Sequence, residues 1–156
     1  NMKYFLVFKS FVFVFIYFLL TSTTFAQECS MDVTVGDNLN FIPSEMSISK
    51  SECSSLTINL EHNGVLPRNG MGHIWVLSLT SDAQAAAQSG WQAGLDNQYI
   101  QPGDERVIAT TDIIGGGEST SMTFSVNSLE VGGEYTYFCS FVGHFGVMQG
   151  SFVVND

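Results

Sequence analysis

Apolar and polar residues alternate with period two along much of this chain. SMDVTV (30–35), SLTINL (55–60), SMTFSV (121–126) and EYTYFC (134–139) put successive side chains on opposite faces. That is the pattern of a strand with one face in a core and the other in water. HIWVLSL (73–79), RVIAT (106–110) and GSFVV (150–154) are further short runs of β type. Turn sequences separate them: VGDN, NGVLPRNG, QPGDE, IIGGGE and EVGGE. Many short strands at this spacing predict an all-β sandwich with Greek-key connections.

Two stretches depart from the pattern. TSDAQAAAQSGWQAGL (80–95) is rich in Ala and Gln and opens with Ser81-Asp82, a suitable N-cap. It predicts a short helix between strands, ending near Gly94 and serving as a covering flap. Gly115-Gly116-Gly117 lacks the following Lys and helix of a phosphate-binding loop. A flexible turn is expected there.

The N-terminal residues change what the composition means. Lys3 and Lys9 flank the start of an apolar run, FVFVFIYFLL (11–20), and small residues follow at Thr24 and Ala26. These are the parts of a secretory signal peptide, expected to span residues 1–26 and to be cut after Ala26. The run is short for a membrane span, which needs ~20 residues. No membrane attachment is expected after cleavage, and residues 27–156 are expected to form one domain. Beyond residue 26 all 15 acidic side chains remain, against only Lys50, Arg68 and Arg106 as bases. That balance argues against nucleic acid and anionic membranes as partners. It favours attraction to a basic partner, and it equally serves solubility.

The chain has three cysteines, an odd number for an exported protein. Cys139 lies far from the other two and beside other metal-ligand types. Cys29 is therefore expected to pair with Cys53. Cys139 then opens a run of soft ligands, CSFVGHFGVM (139–148), in which Cys139, His144 and Met148 have the spacing C-x4-H-x3-M. Cys139 ends one strand and Met148 begins the next, so the loop between them brings three ligand groups towards one point. A fourth, His73, opens another apolar strand. Two imidazoles and a thiolate in a plane, with a weak axial thioether, are a blue-copper arrangement. Imidazole suits Cu(II) and sulfur suits Cu(I), so one donor set serves both states with little rearrangement. Structural zinc would call for Cys and His pairs of another spacing.

Three functions fit a sandwich with this loop. One is a carrier of single electrons on a mononuclear copper. Another is a copper enzyme, but further copper sites need several more histidines, and the chain has three in total. No enzymatic activity is expected. The third is a binding protein, either a copper buffer or chaperone or an adhesion-type sandwich without metal.

VLPRN (65–69), MGH followed by Trp75, AGLD (93–96), RVIA (106–109), the early cysteines and C-x4-H-x3-M occur in the order found in azurins. The chain beyond residue 26 resembles that family, which belongs to the cupredoxins, over nearly its whole length. The resemblance implies an eight-stranded Greek-key sandwich and one type 1 copper. His73, Cys139 and His144 would lie in the ligand plane, with Met148 axial and the Gly72 carbonyl opposite. It also implies an exposed edge of His144 ringed by an apolar docking patch, for which Leu39, Leu66, Met71, Trp91, Phe141, Phe145 and Val147 are candidates. His62 would be buried beside the site and able to titrate, while Trp75 is expected to pack out of solvent. Redox proteins, such as a c-type cytochrome or a copper reductase, are the implied partners, and the periplasm is the implied location. Two residues depart from the family pattern. Ile74 stands where Asn usually ties the two ligand loops together. Val142 stands where the loop usually has Pro. The first change is expected to leave the sulfur less stabilised or the loop less rigid and to raise the reduction potential.

Overall fold

The computed structural model describes residues 27–156; the expected signal peptide lies outside the described residues. Eight strands form two sheets: β1 (Gln27–Val35), β2 (Glu45–Ser49), β3 (Cys53–His62), β4 (Val76–Leu79), β5 (Ala109–Thr110), β6 (Ser119–Ser125), β7 (Glu134–Phe138) and β8 (Gln149–Asn155). One sheet has the order β1-β3-β6 and the other β2-β8-β7-β4-β5. Strands from distant parts of the chain are neighbours, as a Greek-key sandwich requires.

The core follows from the alternation. Leu56, Ile58, Leu60 and His62 point inward from β3, and Val33 and Val35 from β1. Met46 and Ile48 of β2, Tyr135 and Tyr137 of β7, and Phe152 and Val154 of β8 oppose them. Trp75 is fully buried among Phe124, Tyr137 and Phe152, with ring centroids 5.9–6.5 Å away. In β4 the successive residues Val76, Leu77 and Ser78 are all buried. Helix α2 (Ala83–Ala93) covers the outer face there, and so the period of two is lost.

Several boundaries differ from the sequence pattern. β2 has little signal in the sequence, because it is short and only Met46 and Ile48 mark it as amphipathic. His73–Trp75 are not in a strand. β7 ends at Phe138, where the chain turns into the ligand loop, so this segment pairs instead with Thr111 and Ile114. RVIAT contributes only Ala109–Thr110, because Arg106 turns back to bond Asp104. Helix α2 starts after Asp82, whose side chain makes no capping bond, and stops at Gly94 with φ +74°.

The glycine run is not a loose turn. A Cβ on Gly115 would lie 2.5 Å from the Arg68 nitrogen, and one on Gly116 would lie 2.7 Å from the Gly64 oxygen. Backbone packs on backbone there, which only glycine permits. The turn clamps the segment that leads to His73. Among the described residues no helix is long and apolar enough to cross a membrane.

Candidate metal centre

His73, Cys139 and His144 come together in the core end of the sandwich, with their ligand atoms all within 4.8 Å of one another. Cys139 Sγ is 3.6 Å from His144 Nδ1, 3.9 Å from His73 Nδ1 and 4.0 Å from the Gly72 carbonyl. These distances can be compared with a metal's needs. In a trigonal plane, bonds of ~2.0 Å to nitrogen and ~2.3 Å to sulfur put the donors about 3.7 Å apart. The two sulfur–nitrogen distances meet that spacing.

Each donor is fixed by the local fold. A short helix, α1 (Arg68–Met71), delivers Gly72 and His73. A Cβ on Gly72 would lie 2.4 Å from the Arg68 oxygen and 2.8 Å from Ile113, so only glycine fits. His73 exchanges two main-chain hydrogen bonds with Ile114, both 2.9 Å. Its Nε2 lies 2.9 Å from the Gly36 carbonyl. A carbonyl can only accept, so Nε2 carries the proton and Nδ1 offers its lone pair towards the sulfur. On the other segment, the Cys139 nitrogen donates to Met148 and the Met148 nitrogen to His144, at 3.0 and 2.9 Å. The loop is thus closed on itself, with the Met148 side chain fully buried.

Burial sets the protonation states. Desolvation lowers His73 to about 4, against a smaller opposing effect of the Gly36 bond. Burial lowers His144 as well. It raises the Cys139 thiol to about 11, although main-chain hydrogen bonds from Ile74 and Phe141 pull the other way. At neutral pH the site therefore offers two neutral imidazoles and a thiol whose proton must leave when metal binds.

Ile74 brings no side-chain hydrogen-bonding group to the site. Ser140 Oγ is buried without a hydrogen-bond partner.

His62 is fully buried, with its ring 4.6 Å from that of His73 and 29° from parallel. Its Nε2 donates to the Met71 carbonyl, and its Nδ1 accepts from the Gly64 nitrogen, both at 3.0 Å. Both ring nitrogens are occupied, so it is not a fourth imidazole ligand. The predicted pair Cys29–Cys53 is bonded, and Cys139 is the free cysteine.

The apolar patch is less uniform than expected. Leu66 and Val147 are exposed, at 42% and 65%. Leu39, Met71, Trp91 and Phe145 are half-buried. Phe141 is buried, because its ring stacks on His144 with centroids 4.5 Å apart. It supports the imidazole and does not face a partner. Val65 and Val142 are exposed apolar residues of the same loops that the sequence reading passed over. His144 itself keeps 6% exposure. Among the described residues its Nε2 has no hydrogen-bond partner, yet it is not among the sealed unpaired atoms, so that ring edge meets solvent.

The comparisons with known proteins agree with this geometry. The profile of copper binding proteins of the plastocyanin/azurin family matches residues 27–155. The azurin of Bordetella pertussis is 50% identical over 131 residues, covering 84% of this chain and 87% of that protein. The azurin of Pseudomonas aeruginosa is 44% identical over 133 residues, covering 85% and 89%. A solved structure of azurin Az-iso2 from Methylomonas sp. strain J superposes with a TM-score of 0.78. That chain is 45% identical, with 82% of this chain and 98% of that one covered.

Proposed function

The chain belongs to the plastocyanin/azurin family of copper binding proteins, and from that premise we propose how its residues carry a single electron. His73, Cys139 and His144 would hold one type 1 copper, with Met148 and the Gly72 carbonyl as the further donors. The copper supplies the Cu(II)/Cu(I) couple. The protein supplies donors that need not move between the two states. The observation that carries this reading is the convergence of two neutral Nδ1 atoms on one buried sulfur at 3.6 and 3.9 Å.

The residues around the copper have separate tasks. Gly36 holds His73 in the tautomer that can ligate. Ile74 and Phe141 direct N–H groups at the sulfur and spread its charge. The buried rings exclude water, which limits solvent rearrangement when the charge changes. His144 presents the ring edge through which electrons pass. Leu66, Val147, Val65 and Val142 supply an uncharged rim, with Leu39, Met71, Trp91 and Phe145 behind it. Such a surface suits a partner that docks briefly and leaves.

The partners are redox proteins, such as a c-type cytochrome or a copper reductase, and the site performs no catalysis of its own. A copper buffer gains no support, because the donors are buried and fixed in place. Residues 1–26 act as a cleaved export signal, and residues 27–156 work in the periplasm as one domain. The test is a rapid-mixing experiment with the reduced copper protein and an oxidised c-type cytochrome. One electron passing per copper agrees with the reading. A copper that holds its electron against every such acceptor of higher potential contradicts it.

A further inference from the structure

The flap ends in an unusual dipeptide. Gln98 and Tyr99 are consecutive, and both have φ +55°, the left-handed region that side chains with a Cβ rarely adopt. Leu39 is the one other such non-glycine residue among those described. The dipeptide is held in place from outside. The Tyr99 nitrogen donates to the Gly94 carbonyl at 2.9 Å. Helix α2 touches the Tyr99 carbonyl so closely that a Cβ on Gly90 would lie 2.0 Å from it.

The two side chains lead to different halves of the metal site. Gln98 Oε1 accepts a hydrogen bond from the Ile113 nitrogen at 2.9 Å. Ile113 lies against Gly72, and the next residue, Ile114, is doubly bonded to His73. The Tyr99 ring packs on Phe141 with centroids 4.9 Å apart, and Phe141 stacks on His144 at 4.5 Å. One strained pair of neighbours thus reaches both imidazoles, which stand 71 residues apart in the chain (73 to 144).

We propose that Gln98 and Tyr99 are positioning residues that splint the two histidine ligands at a fixed separation. Gln98 acts on His73 through Ile113–Ile114, and Tyr99 acts on His144 through Phe141. The helical flap is then a part of the metal site and not merely its cover. This rests on the ligand assignment proposed above. Neither residue touches the metal; each removes freedom from a segment that does. A donor set held at the metal's own spacing binds copper more tightly and rearranges less between its two states.

Four variants test it. Tyr99→Asn removes the ring but tolerates left-handed backbone; Tyr99→Phe keeps the ring. Gln98→Met keeps the length but not the acceptor; Gln98→Glu keeps the acceptor. Copper affinity by competition with a chelator should fall about 10- to 100-fold in Tyr99→Asn and in Gln98→Met, the usual range for losing an outer partner of a ligand. The two conservative variants should stay near the parent. In the metal-free protein, Tyr99→Asn should broaden the His144 ring resonances. Gln98→Met should speed hydrogen exchange at the His73 amide. Folded variants with parental affinity, ring resonances and amide exchange would overturn the splint. Should Tyr99→Asn fail to fold, the two Gln98 variants decide by the same measurements. A parent protein that takes up no copper sinks the carrier reading instead, and the two measurements on the metal-free protein still decide the splint.

Discussion

His73 donates from Nε2 to the Gly36 carbonyl at 2.9 Å, and this contact decides which of its nitrogens can meet a metal. It also shapes how the metal-free protein responds to acid. Burial holds His73 near 4 in the fold, whereas a free imidazole titrates near ~6.5. Between those values the unfolded chain binds a proton that the folded chain refuses. Stability therefore rises with pH across this window, is fully present above ~6.5 and is lost as pH falls towards 4. The contribution is about 3 kcal/mol, with His144 acting in the same direction. Urea unfolding of the metal-free protein at pH 5 and pH 7.5 should differ by about 2 kcal/mol from His73 alone, because the full loss is reached only below pH 4. His73→Ala should flatten the slope, and an unchanged slope would contradict the assignment.

Copper uptake should release a proton. Burial keeps Cys139 a thiol far above neutral pH, and both imidazoles are already neutral. At pH 8 a Cu(II) titration in weak buffer with an indicator dye should liberate one proton per copper bound. Uptake without release would mean that the sulfur is not a ligand.

The hydroxyl of Ser140 is sealed and unpaired, which is destabilising. Ser140→Ala should therefore stabilise the protein by about 1 kcal/mol. Thermal unfolding of the parent and the variant supplies the check. An unchanged or lower midpoint would mean that the hydroxyl costs the fold nothing.

The disulfide should matter for stability alone. Cys53 opens β3 and His62 closes it, so the bridge and the metal site lie at opposite ends of the sandwich. Cys29 and Cys53 are 24 residues apart. Opening that loop costs about 3 kcal/mol by chain entropy. Replacing both cysteines by serine should lower the denaturation midpoint by a corresponding amount and leave the copper spectrum intact. A changed spectrum would mean that the two ends are coupled.

Much of this molecule is written locally in its sequence. Period-two alternation marks β1, β3, β6 and β7, because each buries one face only. The Ala- and Gln-rich stretch marks α2. C-x4-H-x3-M marks the loop, because its three ligand types fall within ten residues. His73 was found only because the loop lacked a partner for it. Other features depend on neighbours remote in sequence. Nothing near Gly115 says that Arg68 crosses it, and nothing near Phe141 says that its ring lies under His144. Gln98 and Tyr99 carry no left-handed signature of their own; the packing of α2 and the ligand segments forces it on them. β4 conceals its boundary because both of its faces are covered.

One sulfur and two imidazoles should take a single copper into a redox site, and a Cu(II) titration of residues 27–156 followed in the visible region decides it. An intense blue band from sulfur-to-copper charge transfer should grow, saturate at one copper per chain and be absent in Cys139→Ser. A colourless protein, or a band that survives Cys139→Ser, would contradict it.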